Sequence, residues 1–175
     1  MGRVLFNPPL DVSWRVKDNP PYASCNASDA GCSASSAFGG LLRNAYPGQP
    51  SGTIVEDGGR YTVTPAGPNA PMPVGQPVVT TVDYDNLSIT NTTASDHIFC
   101  CGYATRSIVQ DGSNIYVNTY GSGTNSSEMI AVVNHVMGLF VFSAADDGIR
   151  QYVQQQGRWS SYSPNSNPDA PPPPR

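Results

Sequence analysis

The chain has 175 residues, of which 38% are apolar and only 13% charged, and it carries a net charge of −4. That length is about one domain, with enough chain for a core that needs no staples. So sparse a charge excludes a charge-rich disordered tail or a coiled coil, and the acidic balance gives no bulk attraction to phosphate backbones.

Lys17 is the only lysine, and Glu56 and Glu128 are the only glutamates. Few residues are therefore available to decorate long solvated helices, and strand and loop should dominate. The start, Met1 to Leu10, holds one charge and then Asn7-Pro8-Pro9, without the apolar run and small-residue cleavage site of a signal peptide. The longest apolar stretch, 129–145, is interrupted by Asn134, His135 and Ser143 and is too short and polar for a membrane span. A soluble chain is expected, secreted or delivered into a target cell without a signal peptide of its own.

Proline marks the layout. Eleven prolines lie between Pro8 and Pro77, six between Pro164 and Pro174, and none between Val78 and Ser163. Because proline breaks ladders and helices alike, the proline-free block should hold the densest regular structure. The division expected is a Pro/Gly-rich arm over 1–77, a core over 78–163 and a polyproline-like tail over 164–175.

Within the arm, 52–55 and 60–64 flank Glu56-Asp-Gly-Gly59, the pattern of a hairpin. The core opens with Val78-Val-Thr-Thr-Val-Asp-Tyr84, then an Asp85-Asn86 turn, then Leu87-Ser-Ile-Thr90, which should pair antiparallel. His97 to Cys100 reads as a short strand or strand edge. Residues 103–110 and 114–120 bracket Asp111-Gly112-Ser113, the clearest hairpin in the chain, since the glycine supplies the positive φ such a loop needs. Gly121 to Asn125 reads as a flexible loop leading into a helix near Ser126, with Asn125 and Glu128 in capping-box spacing. Met129, Val132, Val133, Val136, Met137, Phe140 and Val141 keep helical spacing. Asp146-Asp147-Gly148 marks a break or a new cap, and a second short helix carrying Ile149, Tyr152 and Val153 should end near Gly157. The expected class is α+β: a small antiparallel sheet with a C-terminal helix pair, preceded by the irregular Pro/Gly-rich arm.

The four cysteines, Cys25, Cys32, Cys100 and Cys101, permit two disulfides in three connectivities. A local Cys25–Cys32 bridge is geometrically easy, whereas a bond between neighbours is rare, so at most one of Cys100 and Cys101 should pair across the fold. Buried thiols acting as small hydrophobes are an equal alternative. The spacing matches no zinc ribbon or finger, and no HExxH or carboxylate cluster suggests a metal; neither metal nor cofactor is expected.

Two histidines decide most of the enzyme question. His97 follows Asp96 at a strand edge and titrates near ~6.5 when unperturbed, so it can exchange protons at neutral pH. His135 sits among Val132, Val133 and Val136 and reads as packing rather than chemistry. Arg106 lies mid-strand in a low-charge sheet, where its planar fork would suit a phosphate or carboxylate; the competing reading is an exposed strand face with a surface ion pair. Thr119, Tyr120 and the Gly121-x-Gly123 segment offer hydroxyls and backbone amides that could hold an anion. His97, Arg106, Thr119 and Tyr120 on one face would be the minimum for metal-free phosphodiester transfer. A cysteine nucleophile at Cys100 or Cys101 with His135 gives the competing amidase or peptidase. No Gly-x-Ser-x-Gly, Walker or Rossmann pattern is present.

His97-x-Phe99, Gly102, Arg106, Asp111-Gly112, Thr119-x-Gly121-x-Gly123, Asn134, Gly138, Phe142, Asp147 and Ile149-Arg150 resemble C-terminal toxin domains of bacterial polymorphic effectors, of the Rhs and type VI secretion kind. The resemblance implies an antibacterial effector with a cognate immunity protein and a secretion-machinery or carrier domain. Joined to the residue reading, it gives a metal-independent hydrolase acting on RNA or another phosphodiester. In that reading His97 is the general acid or base, Arg106 the phosphate clamp, and Thr119 or Tyr120 a stabilising donor. The alternative is a non-catalytic secreted binding or pore-forming module, or the Cys-dependent amidase.

Overall fold

A computed structural model describes residues 10–16, 25–64, 75–97, 101–125, 142 and 145–157, with backbone alone for 10–16, 124 and 125. Its centre is one curled antiparallel sheet. The strands are β1 (Leu10–Val16), β2 (Cys25–Asn26), β3 (Arg60–Val63), β4 (Gln76–Asp83), β5 (Ser88–Thr93), β6 (Gly102–Asp111) and β7 (Asn114–Asn125). The order across the sheet is β1-β7-β6-β5-β4-β3, with β2 also on β7. Two helices pack on its concave face, α1 (Ala34–Arg43) and α2, residues 145–157. The α+β class expected from the sequence is the class found.

Both core hairpins form where the turn residues put them. Val82 pairs with Ile89 across the Asp85-Asn86 turn. Ile108 pairs with Val117 across Asp111-Gly112, and Gly112 takes φ 58°. Period-2 alternation then buries Val78, Thr80, Val82, Ile89, Asn91, Arg106, Ile108, Ile115, Val117 and Thr119 on one face.

The stretch expected as an arm supplies much of the same sheet and core. β1 runs along β7 from Leu10↔Asn125 to Val16↔Thr119. That pairing makes Gly121 to Asn125 part of a twelve-residue strand, where a flexible loop was expected. The expected 52–55/60–64 hairpin does not form either. β3 pairs instead with β4, Arg60 opposite Val79. The N–H of Val55 is taken by the carbonyl of Leu42, and its side chain is buried.

α1 was not expected at all. Ser33 caps it, its hydroxyl accepting from the Ser36 N–H at 3.0 Å. Gly39-Gly40 in its middle is a poor helix sequence with a packing reason. A Cβ on Gly39 would stand 3.3 Å from the Tyr152 ring, and one on Gly40 3.1 Å from the Ile149 side chain. The two glycines let α1 and α2 approach closely, and the Arg43 guanidinium then lies 4.7 Å over the Tyr152 ring. Phe38, Leu41, Ile149 and Val153 fill the space over Ile89, Ile108, Ile115 and Val117. The Cys25–Cys32 disulfide forms, tying β2 to the residue just before the α1 cap. Cys101 is also disulfide-bonded.

Of the strand expected from His97 to Cys100, His97 stands in a bend and 98–100 lie outside the described residues, as do the helix over 126–141 with His135 and the tail over 164–175. Residues 145–157 are helical straight through Asp146-Asp147-Gly148, where a break or new cap was expected, and the described part of the helix runs to Gly157. Among the described residues no helix is long and apolar enough to cross a membrane, and no group of three His, Cys, Asp or Glu could hold a metal ion.

Candidate functional site

The concave face is read best in transverse rows. Register places Val82, Ile89, Arg106 and Thr119 side by side on β4, β5, β6 and β7, and Thr80, Asn91, Ala104 and Gly121 in the next row. Arg106 shares its parity with Ile108, so its side chain points into the core, where it is fully buried. A buried guanidinium must be answered, because an unpaired charge in the interior costs several kcal/mol. Three elements answer it. The Asp146 carboxylate on α2 forms an ion pair with Nη2. The Asn44 carbonyl, where the chain leaves α1, accepts from Nη1 at 2.5 Å. The Phe142 ring lies 5.2 Å from the guanidinium carbon. Burial pushes the Asp146 carboxyl above the ordinary carboxylate range, against the opposing pull of Arg106.

The second row continues the polar patch. The Thr80 hydroxyl donates to Asn91 Oδ1 at 2.6 Å, and Asn91 Nδ2 donates to the Ala45 carbonyl at 2.8 Å. Arg106 and Asn91 thus hold consecutive carbonyls past the C-terminal end of α1, where orphan acceptors and the negative end of the helix dipole attract donors and cations.

Toward the ends of β6 and β7 the inward positions become Gly102, Ala104, Gly121 and Gly123, with Gly102 opposite Gly123 and Ala104 opposite Gly121. None carries a side chain longer than a methyl. Gly102 and Gly123 also permit a close crossing, since a Cβ on Gly102 would stand 2.9 Å from the Gly123 Cα. The concave face therefore has one end packed by α1 and one end floored by backbone, with the buried polar row between them.

Among the four residues expected in one site, Arg106 and Thr119 are brought together as a register pair, both buried. Tyr120 lies on the opposite face, its ring 6.0 Å from that of Tyr103. His97 closes a turn after β5, its N–H bonded to the Ala94 carbonyl. It is half-buried, and burial lowers its pKa while Asp96 pulls the other way. Arg106 is opposite Ile89, so about 13 Å of β5 separates its row from the start of that turn. Gly121 and Gly123 are ladder residues between β1 and β6, so the expected anion-holding loop is absent from this place. The Cys101 sulfur sits in a disulfide and offers no thiolate.

No family model matches the sequence, and no curated protein matches it in sequence. The fold does match solved structures. Norcoclaurine synthase from Thalictrum flavum in complex with dopamine and hydroxybenzaldehyde aligns with TM-score 0.55 at 12% identity, over 89% of this chain and 94% of that one. A point mutant of norcoclaurine synthase from the same species, in complex with a transition-state analogue, gives 0.54 at 12% identity, over 85% and 96%. A truncated form gives 0.53 at 12% identity, over 83% and 94%. The chain has the Bet v 1-like fold.

These neighbours overturn the resemblance to a polymorphic-effector toxin domain, and with it the antibacterial, RNA-cleaving hydrolase and the nuclease and type VI secretion vocabulary. The chemistry agrees. Arg106 is sealed under two helices with its charge already answered by Asp146, so it cannot clamp a phosphate that arrives from solvent. The immunity protein and the carrier domain were implied by that resemblance alone.

The sequence reading missed Asp146, Asn91, Thr80 and Asn44. A signal for Asp146 existed: Phe142, Asp146, Ile149 and Val153 share one helix face, an acid inside an apolar stripe. Such a residue needs a buried partner, and Arg106, on the parity of Ile108, was the available cation.

Proposed function

We propose that the chain is a binding module that encloses a small organic molecule between the concave sheet face and its helices. The observation that carries the reading is the asymmetry of that face. One end is filled by Phe38, Leu41, Ile149 and Val153, whereas the inward positions of β6 and β7 at the other end shrink to Gly102, Ala104, Gly121 and Gly123 beside Thr80, Asn91, Arg106 and Thr119. A mostly apolar enclosure with a few convergent polar groups is the usual make-up of a small-molecule site. The fold admits such guests, as the synthase in complex with dopamine and hydroxybenzaldehyde illustrates.

Charge narrows the guest. Arg106 is balanced by Asp146, so no buried charge calls for a counter-charge in the ligand. Hydroxyl and amide groups nearby favour a neutral molecule with a hydroxyl or carbonyl at one end.

The test is a fluorescence titration with the neutral probe 1-aminoanthracene. Wild type should bind it, and Ala104→Trp, which places a large ring on the backbone floor, should lose most of that binding while keeping its circular dichroism spectrum. Equal binding by the folded Ala104→Trp variant, or none by wild type, sinks the reading.

A further inference from the structure

Two threonines are buried on the concave face, Thr80 and Thr119. A hydroxyl taken out of water needs a partner, because it gives up its hydrogen bonds to solvent. Thr80 has one, since it donates to Asn91 at 2.6 Å. Thr93, at the end of β5, has two: its hydroxyl accepts from the Gly102 N–H at 2.8 Å and donates to the Gly102 carbonyl at 3.0 Å. On the other face Thr90 and Thr105 answer each other at 2.8 Å. Thr119 is 1% exposed, yet among the described residues its hydroxyl makes no hydrogen bond. That hydroxyl is not sealed in: the trace of surface Thr119 keeps is on its oxygen.

Its position gives the hydroxyl a use. Thr119 lies inward on β7, opposite Arg106, and the next inward position on its strand is Gly121, opposite Ala104. It is therefore the last inward side chain of β7 before the backbone floor begins.

Its neighbours decide what a guest on that floor must bring. Arg106 offers donors only, and they engage the Asp146 carboxylate and the Asn44 carbonyl. The polar acceptors of the inward face, Thr80 and Asn91, stand on β4 and β5, so the nearer is two strands, about 10 Å, from Thr119. A guest hydroxyl could take the threonine proton but would then need an acceptor for its own. A carbonyl oxygen takes the proton and asks for nothing more.

We propose that Thr119 is the specificity-determining residue of the enclosed site, its hydroxyl donating to the carbonyl oxygen of a neutral ketone or aldehyde that lies over Gly121 and Ala104. The inference rests on the enclosure proposed above and names the group that reads its guest.

The experiment follows displacement of 1-aminoanthracene from the full chain by 2-acetylnaphthalene and by 2-ethylnaphthalene, two molecules of one shape that differ by the carbonyl. Thr119→Val swaps the hydroxyl for a methyl. It should lose about fivefold to tenfold in affinity for the ketone and nothing for the hydrocarbon, whereas Thr119→Ser should keep the ketone. Without ligand, Thr119→Val should melt about 2 °C higher, because an unanswered hydroxyl gives way to an apolar group. The infrared carbonyl stretch of the bound ketone should lie below its value in hexane in wild type and return toward it in Thr119→Val. Wild-type affinity for the ketone in folded Thr119→Val overturns the proposal. So does a variant that melts early, which would give the hydroxyl a structural partner, and so does equal loss for both probes, which would make Thr119 a matter of shape. A wild type that fails to bind 1-aminoanthracene sinks the enclosure and this assignment together. One that binds it while Thr119→Val treats the two probes as wild type does sinks the assignment alone.

Discussion

The two ends of the concave face are built on opposite principles. At the α1 end large apolar side chains of the sheet meet others from the helices, as Ile89, Ile108 and Val117 cluster with Phe38, Leu41 and Ile149. At the far ends of β6 and β7 the strands themselves are the floor, because Gly102, Ala104, Gly121 and Gly123 offer nothing to interdigitate. The first arrangement makes stability, and the second is where the proposed function seats its guest. Arg106 and Thr119 in one row and Thr80 and Asn91 in the next lie at the boundary, where Arg106 and Asn91 fasten the helices to the sheet.

The boundary should break hardest. Arg106→Met leaves Asp146 buried without its cation and the Asn44 carbonyl without its donor, and should cost about 3–5 kcal/mol in chemical denaturation. Pairing it with Asp146→Leu should recover most of that loss, because an apolar pair of similar volume needs no compensation. A double variant no more stable than Arg106→Met would show that the ion pair is not what fastens α2.

Reduction should come next. Replacing Cys25 and Cys32 by serine frees a short loop in the unfolded chain, and should lower stability by about 2.5 kcal/mol on the loop-entropy account. An unchanged melt on reduction would contradict the tie between β2 and α1.

Gly40→Val tests the packed end alone. Valine is the better helix former by a few tenths of a kcal/mol, yet its side chain meets Ile149, so the variant should lose about 1–3 kcal/mol. A gain in stability would mean that α1 and α2 are not in close contact.

The smallest effects are in pH. The half-buried His97 has a lowered pKa, so its contribution to stability is complete above the ordinary imidazole value and is lost as the pH falls through its folded value. Asp83, held low first by its hydrogen bonds with Asn86, contributes above the ordinary carboxylate value and loses that as the pH falls through its own lowered one. Asp146 runs the other way: its raised pKa means the fold holds that proton more tightly than the unfolded chain, a contribution present in acid and lost as the pH rises through the folded value. His97→Gln should therefore flatten the decline in melting temperature just below neutrality and leave the lower acid limb unchanged. A decline identical to wild type would remove His97 from that window.

What could be read from the sequence was set by local chemistry. The 103–110/114–120 hairpin was legible because Asp111-Gly112 names its own turn. α1 was not, because Gly39-Gly40 and a serine run hide a helix whose reason is the Tyr152 and Ile149 side chains more than a hundred residues away. β1 was hidden among prolines, and its partner β7 was misjudged through the same glycines that now form the floor. Arg106 was noticed as out of place, but a charge in a strand looks alike whether it faces water or Asp146. Only parity with Ile108 and the acid in the α2 stripe separate the two cases, and they do so jointly rather than singly.

A guest seated in the protein should lie on the glycine end of the sheet. Amide chemical shifts recorded while 1-aminoanthracene is titrated into the chain address that directly. Gly102, Ala104, Gly121 and Gly123 should move first and farthest, with Ile108, Ile115 and Val117 nearly still. Shifts centred on the α1 end, or spread evenly over the sheet, would contradict it.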